Sequence, residues 1–203
     1  MSLASDATMP ISHFAPWRLS IATALIAFAA PSYADERTGA PTISLRPDAL
    51  FVQVGDGERT RTTTLGLAWN LPWSTRASSG VLSGYLDASI GRWWIVDGYS
   101  AHGPWVTQVG LTPVLRYRWG GEQARWFAEL GIGVNALMPI IDDDDRRFST
   151  AFNFGDHLAL GRDFGEGGRE ELALRVQHYS NGGIKQPNPG INFLQLRYSH
   201  RFR

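Results

Sequence analysis

The chain of 203 residues contains no cysteine. That excludes a disulfide framework, a thiol nucleophile and a thiolate-ligated zinc or iron–sulfur centre. No charge sign dominates either: 19 Lys+Arg balance 19 Asp+Glu, and no basic block occurs. A nucleic-acid-binding surface therefore has no electrostatic basis. Charged residues are few, 19% against 43% hydrophobic, which argues against a disordered chain. Long apolar runs are missing as well. None reaches the roughly 18 residues that a membrane-spanning helix needs. Mean hydropathy is slightly negative, −0.18. A membrane β-barrel survives this test, because its strands alternate and the average conceals the lipid face.

What is present begins at the N-terminus. Arg18 precedes the uncharged stretch Leu19 to Ala30, LSIATALIAFAA, followed by Pro31, Ser32, Tyr33, Ala34 and Asp35. A basic residue, a short apolar segment and a small-x-small site predict a secretory leader, residues 1–34, cut after Ala34. A helix of that length rises only ~18 Å, too short for a ~30 Å hydrocarbon core. The remaining domain is 35–203.

From Asp48 onward the dominant period is two, the signature of strands. Leu65, Leu67, Trp69, Leu71 and Trp73 share one parity. Leu82, Leu86 and Ile90 share another, as do Trp105, Val109, Leu111, Leu115 and Trp119. Trp126, Leu130 and Val134 continue the pattern, then Phe152, Phe154, Leu158 and Leu160. Leu172, Leu174 and Val176 follow, then Leu194, Leu196, Tyr198 and Phe202. With a weaker segment, Asp48 to Val54, these predict eight strands. The opposite parity carries Gly, Ala, Ser, Thr, Arg and Glu, and aromatics sit at strand ends. A polar interior between aromatic girdles, an even strand count and an export leader predict an all-β fold, an eight-stranded antiparallel transmembrane barrel. A secreted β-sandwich also alternates and is the competing fold.

With periplasmic termini, outward loops are expected near 55–60, 96–104, 138–149 and 181–190. Periplasmic turns are expected near 72–79, 120–123 and 164–168. Arg116, Arg118, Arg125, Glu129, Arg175, Arg197 and Arg201 have interior parity. They should pair inside a barrel too narrow for a channel. His157 also points inward, as a packing residue. The acidic run Asp142 to Asp145 lacks metal-loop spacing and reads as a solvated loop.

One string stands apart: HYSNGGIKQPNPGIN, His178 to Asn192. His178 and Ser180 continue the lipid-facing row of Leu172, Leu174 and Val176. Such i, i+2 neighbours lie ~6.8 Å apart at Cα, so an imidazole can reach a hydroxyl. Polar groups on a lipid face cost free energy unless they are interfacial or useful. The flexible backbone at Asn181, Gly182 and Gly183 can offer N–H donors to an oxyanion. A hairpin centred on Lys185 places Asn192 opposite His178. Serine, histidine and a third group that orients the histidine form the logic of an activated hydroxyl. A mere polar turn is the competing reading. Asp156 shares the lipid-facing parity on the sixth strand, and its part is left open.

This string resembles the active-site segment of the outer-membrane lipid A 3-O-deacylases, the PagL family. The resemblance extends through LGLAWNLPW (Leu65 to Trp73), SGVLSGYLDA (Ser79 to Ala88) and FAELGIGVNAL (Phe127 to Leu137). It implies an eight-stranded barrel that hydrolyses the ester-linked 3-hydroxyacyl chain at position 3 of lipid A. Ser180 would be the nucleophile, His178 the general base, and Asn181 and the Gly183 N–H the oxyanion donors. Apart from the resemblance, Lys185 beside the site has two readings, a partner for a lipid A phosphate or a free surface lysine. No cofactor or metal is implied. The partner is lipopolysaccharide in the outer leaflet of the bacterial outer membrane, with a homodimer left open. At one position the chain departs: the family has Glu as third triad member where Asn192 stands. An Asn carbonyl can fix the imidazole tautomer but supplies no charge. A non-catalytic barrel serving as adhesin or anchor is the alternative that this departure favours.

Overall fold

The alternating segments all become strands. The computed structural model describes residues 45–96, 103–120, 124–142 and 147–202. The expected leader and residues 143–146, which include all of the acidic run but Asp142, lie outside the described residues. The strands are β1 (Ala49–Gly57), β2 (Thr60–Ala77), β3 (Gly80–Ile95), β4 (Trp105–Trp119), β5 (Trp126–Met138), β6 (Phe152–Phe164), β7 (Glu170–Ser180) and β8 (Ile191–Arg201). Each pairs antiparallel with its sequence neighbour, and β8 returns to β1, closing the barrel. The shortest, β1, has nine residues, enough for a tilted strand to cross a bilayer at ~9–11 residues. Closure leaves no unpaired edge, as a lipid environment demands. A sandwich is thereby ruled out.

Turns are tighter than the sequence suggests. The outward loop expected at 55–60 shrinks to Glu58 and Arg59, with Arg59 at φ 56°. The turn expected at 72–79 shrinks to Ser78 and Ser79, because β2 runs on to Ala77. Its pairing with β3 slips between Asn70 and Ser74. Pro72 lies inside the slip and has no N–H to give the ladder, so the bulge absorbs it without ending the strand.

The outer wall is apolar. Leu65, Ile90, Leu158, Leu174, Val176 and Leu194 are each more than half exposed, the cost-free state only in contact with lipid. Trp94 and Trp105 stack at one rim, with ring centroids 6.0 Å apart. Trp119, Trp126, Phe164 and Phe202 mark the other.

The lumen is filled in layers. At the end bearing the long loops, Trp93, Ile95, Val106, Leu137, Tyr179, Ile191 and Phe193 form an apolar plug. Ile141 and Phe148 from the β5–β6 loop complete it. Trp93 meets Tyr179 and Phe193 edge-on at 4.8 and 5.0 Å. Below lie buried amides such as Gln53, whose Nε2 donates to Gln195 Oε1 at 2.8 Å. At the opposite end are ion pairs. Arg116 bridges Glu129 (2.6 Å) and Glu171 (2.7 Å). Arg118 and Arg201 share Asp163 at 2.6 and 3.1 Å, and Arg175 meets Glu129 at 3.2 Å. Arg197 holds Asp87 at 2.5 Å with its guanidinium 3.5 Å from the centroid of Phe51. Arg125 departs from expectation. It precedes β5 and is exposed, because β5 starts one residue later, at Trp126.

Glu129 also accepts from the Tyr85 hydroxyl at 2.7 Å. Glu129→Ala should strand buried guanidinium groups, at a cost of about 3–5 kcal/mol. The check is denaturant unfolding in micelles, where the midpoint should fall clearly below wild type.

Candidate active site

The lipid-facing row at the loop end of β6, β7 and β8 carries the polar side chains. Register places Asp156, His178 and Asn192 side by side on three adjacent strands. One step outward, Ser180 lies beside Phe154. The inward neighbours Tyr179, Ile191 and Phe193 are locked in the plug. Alternation then fixes the outward side chains of the same strands. The row is thus held by its own strands' packing.

His178 Nδ1 lies 2.8 Å from Asn192 Oδ1. An amide oxygen only accepts, so Nδ1 carries the proton and Nε2 presents its lone pair. This is the tautomer a general base needs. Ser180 Oγ accepts from the Gly182 N–H at 3.5 Å. No hydrogen bond joins His178 to Ser180 in this structure. Such bonds are often long in unliganded sites and tighten with substrate.

The loop after β7 is built around Asn181, which is fully buried. Its Nδ2 donates to Lys185 O at 2.7 Å and to Ser149 Oγ at 3.0 Å, and its backbone N–H goes to Asn188 Oδ1 at 3.0 Å. Its Oδ1 accepts the Gly183 N–H at 2.9 Å. Both donors expected at an oxyanion, the Asn181 amide and the Gly183 N–H, are therefore spent inside the loop. A short loop with few side-chain partners satisfies its own polar groups first. The N–H nearest the hydroxyl belongs to Gly182.

The Asn-Pro-Gly element also acquires a reason. Asn188 holds Asn181, and Gly190 passes under the imidazole at φ 65°. A Cβ at Gly190 would lie 2.8 Å from His178 Cε1. Lys185 is exposed and lines a cleft with Asp142, Arg147 and Phe148. Asp142 and Arg147 form an ion pair at 3.3 Å with both side chains more than half exposed, a contact of little energetic weight. Sequence reasoning undervalued Asp156. Its place beside His178 depends on the register of the β6–β7 hairpin, which parity does not reveal.

A closed barrel with a lipid-exposed wall, and a histidine and a serine on one face of that wall, defines an integral outer-membrane protein with a polar site open to the lipid. The family model described as lipid A 3-O-deacylase (PagL) matches residues 63–201. The lipid A deacylase PagL of Bordetella bronchiseptica is 35% identical over 150 residues, 73% of this chain and 80% of the relative. That of Pseudomonas aeruginosa is 35% identical over 146 residues, 70% and 79% of the two chains. A crystal structure of the outer membrane enzyme PagL superposes with a TM-score of 0.66 at 31% identity, covering 75% of this chain and 99% of that one. The chain belongs to the lipid A 3-O-deacylase (PagL) family.

Proposed function

We propose that this barrel, exported with loss of residues 1–34, removes the 3-hydroxyacyl chain esterified at position 3 of lipid A in the outer membrane. The reading rests above all on the contact between His178 Nδ1 and Asn192 Oδ1 on the lipid-facing wall. That contact frees Nε2 to take a proton exactly where a lipid ester arrives from the membrane side. Nε2 takes the Ser180 proton and Oγ attacks the ester carbonyl. The Gly182 N–H supports the developing oxyanion. His178 then protonates the departing sugar oxygen, and water releases the acyl group from Ser180 by the reverse sequence. Nothing in this sequence calls on a metal or cofactor.

The lipid-facing wall supplies the acyl surface. Leu158 and Val176 stand one step down the strands from Asp156 and His178. They open a groove lined with Leu160, Leu172, Leu174 and Leu196. Lys185, beside the site, is the group placed to meet a lipid A phosphate.

The test is incubation of the purified barrel with lipopolysaccharide in detergent micelles. Free 3-hydroxy fatty acid derived from position 3 should accumulate. Release of none, or of amide-linked chains only, contradicts the proposal. Asn192→Ala should keep the barrel folded and lower turnover about tenfold or more, since the tautomer loses its acceptor. Kinetics on the same substrate reads that loss directly, and an unchanged rate would mean that Asn192 does not orient His178.

A further inference from the structure

Asp156 is an anomaly of the outer wall. It sits on the lipid face between Phe154 and Leu158, where a carboxylate is destabilising. Its Oδ1 is shielded from solvent and has no hydrogen-bond partner. The Arg-rich lumen lies on the other side of the sheet, so no arginine neutralises it from within its own face. What lies beside it is His178, directly opposite in the β6–β7 register. Directly opposed residues on one face have Cβ atoms ~4.5–5.5 Å apart. His178 is flanked on its other side by Asn192, which bonds Nδ1 but bears no charge.

A triad acid performs two tasks. It fixes the imidazole tautomer, and it stabilises the imidazolium that forms as the nucleophile loses its proton. We infer that this site divides the two tasks: Asn192 orients His178 from β8, and Asp156 supplies the negative charge from β6. Asp156 is a positioning and charge-supplying residue that touches neither ester nor nucleophile. The inference rests on the reading of His178 and Ser180 as the reacting pair. It accounts for a carboxylate kept on a lipid face without a hydrogen bond. The charge is useful in the transition state, while its cost is borne in the resting barrel.

Among the described residues, the charged group facing His178 is Asp156. From β8 come Asn192 and Leu194, and from the loop Gly190. A nearby negative charge favours the imidazolium. Its removal should lower the kcat/KM plateau, because the imidazolium of the transition state loses that support.

The experiment is a set of four proteins in detergent micelles: wild type, Asp156→Asn, Asn192→Glu, and the double variant. Ser180→Ala is measured in parallel. In the wild-type background, Asp156→Asn should lower the kcat/KM plateau about 10–100-fold, within the one to three decades that a close charge pair spans. In the Asn192→Glu background the same change should cost about threefold or less, because coupled groups are non-additive and the introduced carboxylate carries the charge. Asp156→Asn should also unfold at an equal or higher denaturant midpoint, since a lipid-facing charge has been removed. A plateau within twofold of wild type, or equal losses in both backgrounds, overturns the inference. Full activity in Ser180→Ala would instead overturn the underlying assignment of the nucleophile.

Discussion

Ser180→Ala should leave a folded barrel that no longer releases 3-hydroxy fatty acid from lipopolysaccharide. In the proposed mechanism, removing the hydroxyl deletes the atom that forms the acyl-enzyme, and no other described hydroxyl shares a face with an imidazole on this stretch of wall. Thr150 and Ser149 lie on the neighbouring loop, and Ser149 Oγ is engaged with Lys185 O at 2.9 Å. Losses on removing the nucleophile of a serine hydrolase are on the order of 10⁴–10⁶ in turnover. The fold should be indifferent. Ser180 is the last residue of β7 and its side chain makes a single long contact. The check pairs an activity assay with heat-modifiable mobility of the purified protein. Residual activity above about a hundredth of wild type would mean that another group attacks the ester.

Gly190→Ala should have the second largest effect. Gly190 is at φ 65°, where a side chain is strained. The added methyl would meet His178 Cε1 at 2.8 Å and Nε2 at 3.4 Å. The ring must swing away, breaking the 2.8 Å contact with Asn192 and misdirecting Nε2. A displacement of about 1 Å at a catalytic group can cost ~100-fold. Barrel stability should change little, because β8 begins only at Ile191 and the plug below is untouched. Steady-state kinetics should show the loss in kcat rather than KM, since the groove for the acyl chain is unaltered. A near-normal kcat would show that the imidazole has room that this geometry denies it.

The period of two made the strands and their faces legible, because side-chain direction is a local property of extended backbone. Leu174, Val176, His178 and Ser180 could be placed on one wall without any knowledge of the barrel. Lateral neighbours were legible only where a hairpin centre could be guessed. The loop after β7 is symmetric about Lys185, so Asn192 falls opposite His178 as expected. The turn before β7 was expected at 164–168, which would set Phe154 opposite His178. The strands in fact meet with Phe164 against Glu170, a centre one residue later, and this brings Asp156 to the histidine. A single residue at a glycine-rich turn thus decides which side chain stands opposite the histidine.

The loop after β7 was legible in composition and not in direction. Asn181 and Gly183 have the right chemistry for oxyanion donors, yet their hydrogen bonds close the loop on itself. Buried backbone and amide groups must find partners, and the partner of Asn181 Nδ2, Ser149, comes from a loop 32 residues away. No local pattern announces such a bond. The lumen followed its parity except at Arg125, where the strand start was displaced.

The most direct test is mass spectrometry of lipid A extracted from Gram-negative cells that carry the barrel in their outer membrane. Cells expressing the wild-type protein should show lipid A lighter by one 3-hydroxyacyl chain, with the remaining amide-linked chains and phosphates intact. Cells expressing Ser180→Ala at equal membrane levels should show the unmodified mass. Identical spectra from the two, with both barrels folded in the membrane, would contradict the account.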